Sequence, residues 1–319
     1  MRIAVTRRIQ SDVLASLRER CDVRLWDSDL PPSARELLTL LHGVDGALTL
    51  LTDRVDDELL VRVPTLRAVS NLAVGYDNFD VPACTRRGVA ACTTPDVLTR
   101  TTAEFAMALI FAVARQIVPA ARAAREGDWK TWYPMRFLGR DLAGATLGIV
   151  GLGRIGRELA GMGAAFGLVV IYADEFSSDA NYERVALPEL LERADVVSLH
   201  VPLTPTTRGL IDADALQCMR PDALLINTSR GPVVATTDLV AALEAGWLGG
   251  VGLDVTDPEP LPAEHPLYSF ERVTIVPHIA SATVATRQRM SELAAQNLIA
   301  ALTGGVPPHC LNPEVLQRA

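Results

Sequence analysis

Short apolar runs alternate along this chain with stretches whose apolar positions recur at helical spacing. Toward the N-terminus, residues 3–6, 23–26, 47–51, 66–73 and 89–92 read as strands, and 11–21, 33–41 and 56–63 as helices. That alternation predicts a parallel α/β unit with its own core. A long helical stretch follows over 101–126, and Pro119 or Gly127 is expected to break or end it. A second α/β series then opens. Its strands are expected at 145–150, 168–173, 196–201, 223–228, 250–255 and 273–276, with helices at 157–166 and at 237–245 before Gly246. A last helical run, 283–302, comes after the second series and is expected to pack back on the first unit. The chain therefore predicts a discontinuous domain, 1–99 with 284–319, and an inserted one, 100–283.

One junction in this pattern carries chemistry. The apolar run 145–150 leads into Gly151-Leu152-Gly153-Arg154-Ile155-Gly156, then a helix, then a second apolar run that ends at Asp174. Strand, glycine turn, helix, strand and acid at this spacing are the layout that holds a dinucleotide. Gly151 allows the tight turn, Gly153 lets backbone approach a pyrophosphate, and Gly156 lets the helix pack on the strand. The free N–H groups at the helix start face the phosphate charge. Asp174 is placed to accept hydrogen bonds from an adenosine ribose and to repel a 2′-phosphate. Glu175 adds a second negative charge, and no Arg or Lys stands within several residues. The expected cofactor is NAD, with NADH preferred over NADPH.

Composition narrows the setting. The chain has 319 residues, 49% hydrophobic and 21% charged, enough for two cored domains, and a net charge of −8. An acidic balance argues against nucleic-acid and anionic-membrane partners, which need a basic field. Five cysteines, Cys21, Cys84, Cys92, Cys218 and Cys310, form no CxxC pair and predict a reduced, cytoplasmic chain. No basic-then-apolar leader precedes the strand at 3–6, and no apolar run reaches spanning length. No clustered metal-ligand spacing is present, so no metal is expected.

Three polar residues follow strand ends in the second series: Arg230 after 223–228, Glu259 after 250–255, and His278 after 273–276. In open parallel sheets, ligands sit beyond the carboxyl ends of strands. Reducing a 2-oxo acid needs a hydride at the carbonyl carbon and a proton at its oxygen. A histidine supplies such a proton near neutral pH. A carboxylate on the far ring nitrogen orients the imidazole. A guanidinium holds the substrate carboxylate with a planar fork. His278 is assigned as acid/base, Glu259 as its partner and Arg230 as substrate anchor. His42, His265 and His309 lack such company, and His200 reads as core or cofactor-side packing.

Several segments resemble the D-2-hydroxyacid dehydrogenases: Asn71-Leu72-Ala73-Val74-Gly75-Tyr76-Asp77-Asn78-Phe79-Asp80, the glycine motif, Asn227 to Gly231, Asp254 to Pro260, and Pro277 to Thr283. Within that family the chain is most similar to the glyoxylate/hydroxypyruvate reductases. That closer match rests on Leu50-Leu51-Thr52-Asp53, on Trp129-Lys130-Thr131-Trp132, and on the run from Asp254 to Pro262 with His265-Pro266-Leu267. The resemblance implies two doubly wound parallel-sheet α/β domains, a Rossmann NAD-binding domain and a flavodoxin-like discontinuous substrate domain, in a homodimer. It implies substrate contacts from Leu51, the N–H groups of Val74 and Gly75, Ser281, and Trp132 in the neighbouring subunit's pocket. It places Thr102, Arg154, Ile155, Val201, Pro202, Thr207, Thr228 and Ala280 along the cofactor, and Asp254 on the nicotinamide carboxamide. Two positions depart from the pattern. Ala280 stands where the family often has Gly, and Asp174 stands where NADPH-binding relatives carry basic or Ser residues. A formate-type relative would pair its His with an amide, and a phosphite-type relative would carry Lys in place of Val74. A dehydrogenase of a longer D-2-hydroxy acid and a non-catalytic NAD(H)-sensing protein remain the alternatives.

Overall fold

The computed structural model describes residues 1–317. The chain divides into two compact units, Met1–Leu98 with the segment from Ala282 onward, and Thr99–Ser281.

The first unit runs β1 (Arg2–Val5), α1 (Ser11–Arg20), β2 (Asp22–Leu25), α2 (Ala34–Leu41), β3 (Gly46–Thr49), α3 (Asp57–Arg62), β4 (Ala68–Asn71), α4 (Val81–Arg86) and β5 (Ala90–Cys92). Its five strands are all parallel, in the order β2-β1-β3-β4-β5. This is the flavodoxin-like order, whose switch point lies between β1 and β3. The starts of α2, α3 and α4 carry side-chain caps. Ser33 forms a capping box with Glu36, and Asp56 and Asp80 accept from the third residues of α3 and α4. The last helix, labelled α11 (Val284–Leu302), packs on β3, β4, β5 and α1 of this unit. Its N-cap is Thr283.

The second unit contains α5 (Thr99–Ala114), α6 (Ile117–Arg125), β6 (Thr146–Val150), α7 (Arg154–Ala165), β7 (Val169–Ala173), β8 (Glu183–Arg184), α8 (Leu187–Arg193), β9 (Val196–Leu199), α9 (Ala213–Cys218), β10 (Leu224–Asn227), α10 (Thr236–Glu244), β11 (Gly250–Leu253) and β12 (Val273–Ile275). The sheet order is β12-β11-β10-β9-β6-β7-β8, again all parallel. This extends the Rossmann order by one strand. Period-two alternation sends strand residues to two cores. Leu147, Ile149, Leu224 and Ile226 face α5 and α7, whereas Val150, Leu225, Val197 and Leu199 face α8, α9 and α10.

Two sequence expectations need correction. The long helix is interrupted at Arg115–Gln116, not at Pro119. Gln116 takes a left-handed φ of +51°, and α5 and α6 meet at a 65° bend. Pro119 is the third residue of α6, where its missing N–H has no intrahelical role. Gly127, with φ +76°, closes α6. The helix after the glycine turn begins at Arg154 rather than Arg157, because the turn itself supplies its N-cap, Gly153. Among the described residues no single helix is long and apolar enough to cross a membrane. All five cysteines are free.

Candidate active site

The glycine turn joins β6 to α7 at the carboxyl end of the sheet. Gly151 has φ +94°, and a Cβ there would lie 2.9 Å from the His200 carbonyl group. At Gly156 a Cβ would lie 2.3 Å from the Gly151 oxygen, so any larger residue forces α7 off β6. Gly153 differs: it is exposed, and a Cβ would meet nothing within 4 Å. That free approach to the start of α7 fits a pyrophosphate on its N–H groups. Arg154 is exposed and Ile155 half-buried on the first turn.

Asp174 follows β7. Its Oδ2 accepts from Leu152 N at 2.6 Å, and its Oδ1 from Phe176 N at 2.8 Å and Ser177 N at 2.6 Å. One carboxylate thus fixes both the glycine turn and its own loop. Two cations absent from the local sequence come near in the fold. Arg184 of β8 donates to Glu175 O at 3.4 Å, and Arg157 of α7 pairs with Asp179 at 2.9 Å.

After β9, His200 bonds Ser198 Oγ at 2.8 Å, and its backbone packs on Gly151. Burial of the ring pulls its pKa down to about 4, so it is neutral at pH 7. Pro202 O accepts from Thr207 Oγ1 at 2.6 Å, which folds the following loop, while Val201 is half-buried. Thr102 is buried on α5. Thr228 directly follows β10, and its Oγ1 is the single buried side-chain polar atom of this unit without a hydrogen-bond partner among the described residues. Such a group is unusual in a folded core and suits a ligand. Together with the open Gly153, it makes these residues fit a dinucleotide.

Arg230, Glu259 and His278 follow the adjacent strands β10, β11 and β12. Asn227 shapes the first turn: its Oδ1 accepts from Ser229 N and Oγ, and its Nδ2 donates to Arg230 O at 2.9 Å. Arg230 is half-buried and donates to Ser229 O at 2.9 Å. The next residue, Gly231, packs directly on the Thr256 backbone, so the turns after β10 and β11 touch.

Glu259 Oε1 lies 2.6 Å from His278 Nδ1, with the two side chains 36% and 25% exposed. Both groups therefore reach solvent while paired. A carboxylate at Nδ1 requires the ring proton there and leaves Nε2 for chemistry. His278 has φ +54°, an uncommon conformation for a non-glycine residue. It is held by hydrogen bonds from its N to Asp254 O at 2.9 Å and Val276 O at 3.1 Å.

Asp254, 1% exposed, accepts from Ile279 N at 2.6 Å and Ala280 N at 3.0 Å. Burial raises its pKa, against the lowering effect of those two donors. Its carboxylate fixes the backbone that follows His278, and a carboxylate has acceptor sites beyond those two. Ala280 is buried and Ser281 half-buried.

Leu51, Val74 and Gly75 belong to the first unit, at the carboxyl ends of β3 and β4, and all three are half-buried. Trp132 lies in the segment after α6 and is 80% exposed. The structure thus pairs Glu259 with His278, ties both to the turns carrying Arg230 and Asp254, and leaves Trp132 in solvent. Asn227 was missed by sequence reasoning, although an amide side chain at the end of a buried strand was a signal for it. A cavity of about 600 Å3 in the second unit lies at the amino ends of β10 to β12, away from these groups.

The sequence profile of the D-isomer specific 2-hydroxyacid dehydrogenase NAD binding domain matches residues 107–280. A glyoxylate reductase of Korarchaeum cryptofilum is 45% identical over 99% of this chain and 97% of its own length. A Thermus thermophilus protein of solved structure is 45% identical, with a TM-score of 0.94 over 98% of this chain and 100% of the other. An NADPH-dependent glyoxylate/hydroxypyruvate reductase from Sinorhizobium meliloti, solved with NADP and malonate, is 33% identical. It has a TM-score of 0.86 over 98% of this chain and 97% of the other.

Proposed function

This chain belongs to the D-isomer specific 2-hydroxyacid dehydrogenases, NAD-dependent oxidoreductases, and from that premise we propose that it reduces small 2-oxo acids, chiefly glyoxylate and hydroxypyruvate, to 2-hydroxy acids. The observation that carries the reading is the 2.6 Å contact between His278 Nδ1 and Glu259 Oε1 at the same carboxyl end of the sheet that carries the glycine turn. A bound NADH supplies the hydride to the carbonyl carbon. His278 gives the proton from Nε2 to the carbonyl oxygen. Glu259 holds Nδ1–H, turns Nε2 outward and balances the ring's positive charge. Arg230 anchors the substrate carboxylate and polarises the carbonyl. The N–H groups of Val74 and Gly75 bind the same carboxylate, with Leu51 and Ser281 bordering it. Thr102, Gly151, Gly153, Arg154, Ile155, Gly156, Val201, Pro202, Thr207, Thr228 and Ala280 would hold the cofactor, and Asp254 would accept from its carboxamide.

Asp174 and Glu175 favour NADH. A carboxylate locked by three backbone donors keeps its negative charge at this strand end, which disfavours an added 2′-phosphate. This choice is a property of the strand end, and the NADPH-dependent relative at 33% identity does not determine it. The homodimer is supported by an apolar arm on the second unit, where Ile117, Val118, Trp129, Trp132, Met135 and Leu138 are all exposed. Trp132 on that arm would border the partner's substrate. Five free cysteines support a reducing, cytoplasmic setting.

The test is direct. Purified protein is mixed with NADH and a panel of 2-oxo acids from glyoxylate upward, and absorbance is followed at the nicotinamide band. Oxidation fastest with glyoxylate or hydroxypyruvate supports the reading. Oxidation only with long-chain acids overturns the substrate class, and none with any acid overturns the enzyme.

A further inference from the structure

Seven buried side-chain polar atoms have no hydrogen-bond partner among the described residues, and six of them belong to the first unit. These are Arg7 Nη1, Thr49 Oγ1, Asp53 Oδ1, Ser70 Oγ, Asn71 Oδ1 and Thr94 Oγ1. All six lie at or just past the carboxyl ends of β1, β3, β4 and β5. Unmet polar atoms are rare in native cores, and their gathering on one sheet edge marks that edge as built for something other than stability. It is also the edge with the switch point of this strand order.

Two asparagines run through this edge. Asn71, fully buried at the end of β4, donates from Nδ2 to Gly75 O at 3.0 Å and to Asn78 Oδ1 at 3.1 Å. Asn78 donates from its own Nδ2 to Leu50 O at 3.2 Å and Asp53 O at 2.9 Å. Its backbone carbonyl accepts from Val55 N at 2.9 Å. The Leu50–Asp53 turn is closed from the other side, since Asp53 Oδ2 accepts from Leu50 N at 2.8 Å and from Thr6 Oγ1. Arg7 Nη2 also bonds Thr52 Oγ1 at 2.7 Å. The loop after β3 and the loop after β4 are therefore clasped by two side-chain amides. Backbone bonds anchor the loop at Ala73 and Tyr76, and at Gly75, which has no side chain, the bond from Asn71 to its carbonyl adds the restraint.

We propose that Asn71 and Asn78 are positioning residues that hold the Val74–Gly75 loop and the Leu50–Asp53 turn as one unit facing the carboxylate of a small 2-oxo acid. This rests on the proposed reading, in which Leu51, Val74 and Gly75 contact that substrate. The clasp acts on substrate binding alone. All of its hydrogen bonds lie within the first unit, so its loss falls on KM for the 2-oxo acid and spares cofactor affinity.

The test compares Asn78→Ala, Asn78→Asp and Asp80→Ala with the unaltered chain. The Asp80 side chain caps α4 by accepting from Ala83 N at 2.9 Å and bonds none of the clasp residues, so its loss reports what a general loosening of this region does. For Asn78→Ala, KM for glyoxylate is expected to rise about tenfold or more, with kcat within about threefold and NADH affinity unchanged. Asp80→Ala is expected to lower Tm and leave KM alone. Asn78→Asp keeps the size and the acceptor for Asn71 but loses both donors, so its KM also rises. Lowering the pH to protonate the new carboxyl returns one donor and brings KM part of the way back, a recovery that mere destabilisation does not produce. If Asn78→Ala does not fold, Asn78→Asp and its pH profile decide. An unchanged KM in the Asn78 variants, or an equal rise in Asp80→Ala, overturns the proposal. If the unaltered chain turns over no 2-oxo acid, it is the functional reading that has failed, and the proposal falls with it.

Discussion

Replacing Asp174 tests how this strand end selects its cofactor, and the structure decides which replacement is informative. Alanine is a poor choice. It would leave Leu152 N, Phe176 N and Ser177 N without their acceptor, and two of those bonds are as short as 2.6 Å. An unsatisfied donor costs about 1–3 kcal/mol when buried, so the variant would loosen the glycine turn and weaken both cofactors. Asp174→Asn keeps one acceptor oxygen and removes the charge. Two unit charges about 4 Å apart repel by about 1 kcal/mol in water and about 4 kcal/mol at an effective dielectric of 20. Asp174 is half-exposed, so the penalty on a 2′-phosphate is set at about 2 kcal/mol, roughly 30-fold. The kcat/KM ratio of NADPH to NADH, measured with glyoxylate at low ionic strength, is expected to rise by about that factor. Arg184, beside Glu175, then has a phosphate to meet. A ratio that does not move, or an unaltered enzyme that already prefers NADPH, refutes the electrostatic argument.

Three further outcomes follow from the geometry. Glu259→Gln replaces the carboxylate on His278 Nδ1, and kcat should drop about 10–100-fold with NADH affinity intact, as measured by steady-state kinetics and fluorescence titration. Gly156→Ala puts a methyl 2.3 Å from the Gly151 oxygen, so NADH affinity should fall more than about tenfold, with a lower Tm. His200 has a folded pKa of about 4 against 6.5 unperturbed, so the unfolded chain takes up the proton first as pH falls. Its contribution is complete above about pH 6.5 and is lost as pH drops toward 4, amounting to about 2 kcal/mol between pH 7 and 5. Urea unfolding at those two pH values, with His200→Asn removing most of the difference, measures it.

Sequence pattern reached those parts of the fold that local chemistry determines. The strands of the second sheet stood out because residues buried on both faces make continuous apolar runs, and the acid after β7 stood out because it ends one. The strand β8 did not, since Glu183 and Arg184 are polar, edge-placed and paired only with β7. The α5–α6 bend was misplaced because Pro119 is conspicuous in sequence, whereas the left-handed Gln116 carries no local signal. In the site, His278 and Glu259 were recognisable as strand-end residues of suitable chemistry. The backbone that sets them was not: Asp254 holds Ile279 and Ala280 across a separation of more than twenty residues, which no periodicity reveals. The approach of Arg184 to the loop after Asp174 was hidden because β8, which brings it there, carries no apolar signal.

In the proposed function His278, held by Glu259, moves the proton in a nicotinamide-linked reduction of a 2-oxo acid. His278→Ala in the NADH–glyoxylate assay, paired with a titration of NADH binding, tests it most directly. Loss of at least about 100-fold in kcat with NADH affinity nearly unchanged is the expected result. Retained turnover, or loss of NADH binding in place of turnover, would contradict it.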